Sequence, residues 1–204
     1  MATVSTVLTQ LRYDLSSISE IIWVDAELVE YLNRAIRILN AELVAINSDL
    51  VLSSDSLALA EAARYVAEPT NCFSLRSLWI SDDEIEIVDV DELYEDRQYI
   101  GTDTGQPTKA AHSSAQILFD YTADAAYTIT AYFNLLVSDV TTSSNMPYSD
   151  RFDDQLKTAV IMFAKHRAGM LTNPDAEIAA MFRTLALRKQ YSRMGKPKHI
   201  GFGI

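Results

Sequence analysis

The chain of 204 residues is acidic: 28 Asp and Glu against 17 Lys and Arg give a formal charge of -11. This balance disfavours a protein that wraps nucleic acid, because phosphate binding needs clustered basic side chains. No apolar run approaches the ~20 residues that span a bilayer, and MATVSTVLTQLRYDL lacks the regions of a secretion signal. The single cysteine, Cys72, excludes a disulfide framework and is expected to be a small buried hydrophobe in a protein made in the cytosol.

Two amphipathic helices are predicted at the start of the chain. The first has apolar residues at 4-3-4-3 spacing, which are Val4, Leu8, Leu11, Leu15 and Ile18. The second, in VDAELVEYLNRAIRILNAELVAIN, has a longer apolar face of Leu28, Leu32, Ala35, Leu39, Leu43 and Ile46. Asp25 is the expected N-cap of the second helix, with Glu27 and Glu30 near its positive end. We expect an antiparallel hairpin joined through residues 19–24.

The middle of the chain, from about Leu50 to Asn134, has a period closer to two. DDEIEIVDVDE alternates acidic and aliphatic residues, which predicts a half-buried strand. The alternation slips between Ile87 and Val88, so a bulge or the end of the strand is expected there. Residues 57–67 stay open, because their composition favours a helix and their neighbours favour a strand.

A second β signal follows in QILFDYTADAAYTITAYFN. It reads as two strands around a TADAA turn, which predicts a hairpin. In its second strand Tyr127, Ile129, Ala131 and Phe133 share one face. GTDTGQP, residues 101–107, is predicted to be a loop from its Gly, Asp and Pro content.

Helices return after the polar loop SDVTTSSNMPYSD. Asp150 is the expected cap of a helix whose apolar face consists of Phe152, Leu156, Val160 and Phe163. Asn173 as N-cap and Pro174 at the first helical position predict the start of a last helix. That helix should run to about Tyr191, bury Ile178, Phe182 and Leu185, and end by Gly195 and Pro197.

The predicted fold class is therefore α+β, with a bundle of about four helices, an inserted antiparallel β region and an extended C-terminal tail. The expected divisions are residues 1–49 for the helical hairpin and 50–140 for the β region. Residues 141–191 are expected to hold the helices that complete the helical core, and residues 192–204 the tail.

Catalytic and cofactor-binding motifs are not found in the sequence. His112, His166 and His199 are too widely spaced for a zinc site, and GTDTG lacks the lysine of a phosphate-binding loop. His166 is expected to be a solvated helix position. Nine carboxylates lie from Asp82 to Asp96. We interpret them as the solvent-exposed face and edge of a strand, and a cation site is the alternative. We expect no enzyme activity, no metal and no cofactor.

The charge is divided unevenly along the chain. From Ile178 onward there are six basic residues and no acid, whereas residues 1–177 have a formal charge of -17. The last seventeen residues, RKQYSRMGKPKHIGFGI, combine this charge with apolar residues. An uneven charge distribution of this kind affects association with other molecules rather than the choice of fold. A frayed solvating terminus, docking onto another protein and contact with DNA are all open readings of this segment.

The order of five motifs resembles the head-to-tail adaptor (connector) proteins of tailed bacteriophages, particularly short-tailed ones. The motifs run W-x-D-x-E-L-x-x-Y-L-N-R-A (23–35), VDVDEL (88–93), G-x-P (105–107), ILFDYTADAAYTITAYF (117–133), and Met146-Pro147 followed by RFDDQL (151–156). The resemblance covers about residues 5–190. One departure is Ala123, where the family pattern leads us to expect a proline-rich turn.

The resemblance implies a structural virion protein of the neck, made in the host cytoplasm. It implies a homo-oligomeric ring, usually of twelve copies, assembled on the portal protein after DNA packaging. The helical part stacks against neighbouring copies, the C-terminal segment docks on the portal, and the β part faces the tail or nozzle protein. DNA would pass through the lumen without sequence-specific binding, and no membrane is involved.

Two sets of site residues follow from this reading. The predicted portal-binding residues are Arg188, Lys189, Tyr191, Arg193, Met194, Lys196, Lys198, His199, Ile200, Phe202 and Ile204. The predicted acidic surface, facing the tail or the lumen, consists of Asp82, Asp83, Glu84, Glu86, Asp89 and Asp91. The alternatives are another neck or tail-completion protein, or a small acidic regulator that binds a cellular partner through its basic tail.

Overall fold

The computed structural model describes residues 2–16, 23–95, 103–148 and 151–193. They form two compact units: a helical unit, from the described residues up to Val51 and from Val137 onward, and a sheet unit, Leu52–Leu136. The presence of both helix and sheet confirms the α+β class.

Among its described residues, the helical unit contains four long helices around one apolar core. The helices of the chain are α1 (Val4–Ser16), α2 (Asp25–Ala45), α3 (Val90–Glu95, in the sheet unit), α4 (Asp153–Arg167) and α5 (Pro174–Arg193). The predicted apolar faces are the buried ones, because an amphipathic helix is stabilised by burying its stripe. Of the predicted residues, Ile46 and Leu185 are only partly buried, and Ile18 lies outside the described residues.

Two ion pairs show that α2 and α5 run in the same direction. Arg34 pairs with Asp175, and Glu42 pairs with Arg183 at 2.7 Å. The first residue of α5 is Pro174, as predicted, because a proline at this position loses no helical hydrogen bond.

The predicted caps of two helices are corrected. Val24 occupies the N-cap position of α2, and Asp25 is the first residue of the helix, where its carboxylate pairs with Arg12 instead. Phe152 occupies the N-cap position of α4. Asp150, the expected cap of that helix, lies outside the described residues, as do Gly195 and Pro197.

The polar segment after Val137 packs into the helical unit although it forms no helix. Asn33 holds it, since its Oδ1 accepts from the Val140 N–H at 2.7 Å and its Nδ2 donates to the Val140 carbonyl at 3.1 Å. Met146 is buried in the same core. Tyr148 donates to Oδ1 of Asn40 at 2.8 Å.

The described part of the sheet unit contains nine strands. They are β1 (Leu52–Leu59), β2 (Tyr65–Ala67), β3 (Cys72–Ile80), β4 (Asp83–Val88), β5 (Thr104–Gly105), β6 (Lys109–Ser113), β7 (Gln116–Phe119), β8 (Thr122–Ala123) and β9 (Tyr127–Leu135). Seven form one sheet in the order β1-β9-β3-β4-β6-β7-β2, and β5 pairs with β8. The open question about residues 57–67 is settled, because they lie in β1, a turn and β2.

The predicted hairpin in 116–134 is wrong. β7 pairs with β6 and β2, whereas β9 pairs with β1 and β3. The two strands fit the local pattern, but their partners come from distant parts of the chain, which local patterns do not encode. The β region is also not wholly antiparallel, since β4 with β6 and β5 with β8 run parallel. β5 lies within the segment predicted to be a loop.

The strand predicted from DDEIEIVDVDE is β4. It ends at Val88, so the slip in the alternation marks the end of a strand and α3 begins two residues later. Tyr127, Ile129 and Ala131 pack into the core of the sheet unit, as their alternation predicts. That core also contains Phe119 and Leu78, both fully buried.

The departure from the family pattern at Ala123 has a structural reason. Ala123 is buried, its N–H donates to the Ala63 carbonyl at 2.9 Å, and its carbonyl accepts from the Ala62 N–H at 2.8 Å. A proline has no N–H and would lose the first of these hydrogen bonds.

Candidate functional site

The six carboxylates predicted to form an acidic surface are all exposed. They lie in the turn after β3, on β4 and at the start of α3. The six residues are Asp82, Asp83, Glu84, Glu86, Asp89 and Asp91. On β4 the alternation turns Ile85 inward and Glu84 and Glu86 outward. Within the described ranges, no group of three or more His, Cys, Asp or Glu is arranged to hold a metal ion.

The net charge of the protein is concentrated in the sheet unit. Residues 52–136 contain fifteen acidic and four basic side chains, a formal charge of -11. The remaining sequence contains thirteen of each and is formally neutral. Since six of those thirteen basic residues follow Ile178, the acidic sheet unit and the basic C-terminal segment are the two electrostatically distinct parts of the chain.

The outer face of the sheet presents two aromatic side chains among hydroxyls. Trp79 lies between Thr130 on β9 and Glu84 on β4, and Ser77 lies opposite Tyr132 on β9. The Trp79 indole N–H donates to Oγ of Ser77 at 3.1 Å, which fixes the ring on this face.

Two adjoining depressions form what we call the outer groove. The first, about 490 Å³, is lined by Ser77, Trp79, Ser81, Thr130 and Tyr132. The second, about 400 Å³, is lined by Arg76, Ser77, Glu84, Ile85, Glu86 and Ile87. Ser77 belongs to both, so an aromatic half continues into an acidic half.

One basic side chain also lines the outer groove. Nε of Arg76 donates to Oδ1 of Asn134 at 2.7 Å, and Nδ2 of Asn134 donates to Oγ of Ser74 at 2.8 Å. This chain of hydrogen bonds holds Arg76 against β9. The two exposed carboxylates of Glu84 and Glu86 therefore outnumber the single cation.

The predicted portal-binding residues begin on the last helix. Ala186 is the last buried side chain among those that the structure describes, and α5 continues to Arg193, roughly 10 Å further at 1.5 Å per residue. Arg188 is exposed, and the backbone of Lys189, Tyr191 and Arg193 is helical. The other predicted residues, Met194, Lys196, Lys198, His199, Ile200, Phe202 and Ile204, lie outside the described residues.

Arg183 belongs to the same basic stretch but is engaged within the fold. It forms two hydrogen bonds to the carboxylate of Glu42, Nε to Oε2 at 2.7 Å and Nη2 to Oε1 at 3.0 Å. These hydrogen bonds, and then the charge of Glu42, raise the pKa of the Arg183 guanidinium. The charge offered by α5 to another molecule therefore begins at Arg188.

Two histidines and a tyrosine, which could in principle take part in proton transfer, contact other groups within the fold. His166 is exposed, and its Nδ1 lies 2.7 Å from the Leu171 carbonyl, so its ring is tied to the turn after α4. His112 contacts Glu68, with Nε2 to Oε1 at 3.1 Å. Burial raises the pKa of the Tyr148 hydroxyl.

Cys72 departs from the expectation of a buried hydrophobe. It is only partly buried, at the start of β3. Desolvation, with a smaller contribution from a hydrogen bond to Glu68, raises the pKa of its thiol to about 12. Its thiol is therefore protonated at neutral pH, and a thiol, unlike a thiolate, is a weak nucleophile.

A comparison to known families agrees with the motif order. The family model of the SU10 adaptor protein matches residues 2–198. The chain belongs to this family of phage head-to-tail adaptors. A search of the curated proteins found no matching relative. Family membership confirms the resemblance seen in the motifs and makes the chain a structural protein of the phage neck. No helix in the described part of the chain is long and apolar enough to cross a membrane.

Sequence reasoning identified the acidic half of the outer groove but missed its aromatic half. Trp79, Thr130 and Tyr132 are far apart in the sequence, and the pairing of β3 with β9 brings them together. The available signal was that Trp79 alternates with the aliphatic Leu78 and Ile80. An aromatic residue on the polar phase of a strand often marks a contact surface.

Proposed function

We propose that this SU10-family adaptor assembles into a closed ring between the portal and the tail, with the number of copies that the family resemblance implies, twelve. The ring completes the head, and DNA leaves through its lumen. A subunit of such a ring needs two complementary lateral faces, since a heterologous contact closes only when each copy offers both.

The observation that carries this proposal is the form of the C-terminal segment. α5 extends beyond the core of the helical unit, and the segment from Arg188 onward is basic and has apolar residues, in a chain that is otherwise strongly acidic. This segment is suited to dock on the portal, a separate ring. Ordering it costs affinity in each subunit, and binding of many copies at once compensates.

We assign the remaining roles by charge. The acidic sheet unit faces the tail or nozzle protein, and acidic side chains that reach the lumen repel the phosphates of passing DNA. Asp82, Asp83 and Asp91 are exposed and belong to this surface. The protein then needs no catalytic group, cofactor or sequence-specific contact with DNA.

The deciding experiment is electron microscopy with mass measurement of two proteins, the full chain and a chain ending at Gln190. Each is examined alone and mixed with purified portal. The proposal expects a ring of the full chain on the portal and none from the shortened chain. Equal binding by both would remove the docking role of the segment but keep the adaptor ring. No ring of the full chain under any condition would overturn the proposed function.

A further inference from the structure

The end of the C-terminal segment has a regular alternation of residue types. In KPKHIGFGI every second residue is large, and these residues are Lys196, Lys198, Ile200, Phe202 and Ile204. The residues between them are Pro, His, Gly and Gly. In an extended chain, alternate side chains point to the same side, about 6.8 Å apart. One side of such a segment would therefore carry two cations followed by three apolar groups.

The outer groove has the complementary groups. Glu84 and Glu86 are also two residues apart on the outward face of one strand, so their carboxylates have the spacing of Lys196 and Lys198. The acidic half continues through Ser77 into the half formed by Trp79 and Tyr132. Trp79 lies directly opposite Glu84 on the neighbouring strand, and Tyr132 lies opposite Ser77 on β9, so the aromatic rings lie beside the carboxylates, across the strands.

We propose that the outer groove of one copy binds residues 196–204 of a second copy, which follow β4 as far as Lys198 and then cross β3 towards β9. Lys196 and Lys198 pair with Glu86 and Glu84, and the apolar residues cover Trp79 and Tyr132. The contact joins different surfaces of two copies, so it is heterologous and repeats from copy to copy.

Charge favours this occupant over others. The sheet unit has a formal charge of -11, and the segment from Ile178 onward is the longest stretch of the chain without an acid. The attraction operates over about a Debye length, ~8 Å at physiological ionic strength, and is therefore weakened by salt. The contact itself does not need a portal. During assembly the segment would leave the groove and dock on the portal, and this step alone rests on the proposed function.

The test uses full chains and charge reversal, followed by sedimentation velocity at low salt. Glu84→Lys with Glu86→Lys is one variant, Lys196→Glu with Lys198→Glu is the second, and the third carries all four changes. We expect self-association of the wild type to weaken roughly tenfold in each double variant, which corresponds to the loss of two charge pairs. The four-fold variant should recover it. The matched control, Glu61→Lys with Asp103→Lys, changes the same unit by the same charge outside the groove.

The direction of the change in self-association of the first variant distinguishes this contact from general charge repulsion between copies. Reversing the two groove acids lowers the formal charge from -11 to -7, so repulsion between copies falls and association would become stronger if only net charge mattered. A strengthening, or an effect equal to that of the control, would overturn the proposal.

The occupant is identified by crosslinking. A photoreactive phenylalanine analogue replaces Phe202 in a mixture of ¹⁴N- and ¹⁵N-labelled full chains. We expect crosslinks to β3 and β9, with half of the linked peptides joining the two isotopes. Crosslinks only within one isotope would show that each segment occupies its own copy, and crosslinks only to the helical unit would show a different site. A wild type that fails to bind portal, with these crosslinks intact, would count against the proposed function alone.

Discussion

Glu42 and Arg183 form a two-point ion pair that ties the parallel helices α2 and α5 together, at 2.7 and 3.0 Å. The carboxylate is buried, whereas the guanidinium remains largely exposed. Removing the arginine leaves a buried carboxylate without its cation, which is more costly than removing both groups. We therefore expect Arg183→Met to lower the unfolding temperature more than the double variant Glu42→Met with Arg183→Met. Thermal unfolding of the three proteins measures this, and a double variant less stable than the single one contradicts it.

Asn33 is the polar anchor of the segment that returns from the sheet unit. Asn33→Ala would leave both the N–H and the carbonyl of the buried Val140 without their present partner. The expected loss is about 2–6 kcal/mol of unfolding free energy, because two polar groups are left without a partner and each costs about 1–3 kcal/mol. Urea unfolding measures the change, and Gln10→Ala on the exposed face of α1 is the control. A loss equal to that of the control would show that water replaces the asparagine at no cost.

The two units have separate cores, and each contains a fully buried phenylalanine. Phe182 lies in the helical core and Phe119 in the sheet core, both at 0% exposure. Each substitution to alanine should cost about 3–5 kcal/mol through lost burial and the cavity left behind. Hydrogen exchange followed residue by residue should show increased opening in the unit that carries the substitution. Equal opening of both units in both variants would mean that they unfold as one.

These cores also show what sequence patterns can predict. Val4, Leu8, Leu11 and Leu15 were identified from helical spacing alone, because a lone amphipathic helix has one face to bury. The packing of α2 along α5 fixes partners such as Arg34 and Asp175, which are 141 residues apart. No local rule gives such a pairing.

The sheet unit was less predictable for the same reason. The alternation of side chains identified the strands from the sequence. Which strands pair depends on the whole fold, as in the pairing of Leu78 with Ala131 and the parallel pairing of Ile87 with Ala110. The outer groove depends on those pairings. Sequence reasoning could therefore find the acids of β4 and the basic segment, which are continuous in the chain, but not the aromatic half of the groove.

The thiol of Cys72 gives the sheet unit a dependence on alkaline pH. Its pKa is raised from 9.0 to about 12 in the folded protein, mainly by desolvation. Above about pH 9 the unfolded chain loses a proton that the folded chain keeps, so ionisation favours unfolding. The stabilising contribution is complete below pH 9 and declines between pH 9 and about 12. We expect Cys72→Ala to flatten the fall in unfolding temperature over this range, and slow alkylation of the wild-type thiol at pH 8. Rapid alkylation of folded protein at pH 8 would contradict the raised pKa.

The charge on the last turns of α5 should govern binding to the portal. Lys189→Gln with Arg193→Gln removes two positive charges beyond Ala186, the last buried residue among the described side chains. We expect binding to purified portal to weaken roughly tenfold at physiological salt, and less at high salt, where screening already removes most of the attraction. Arg37→Gln with Lys165→Gln is the matched control, since both residues are exposed in the helical unit and the change in charge is the same. A portal affinity that is independent of salt, and equal in the two variants, would leave the apolar residues of the segment as the basis of docking.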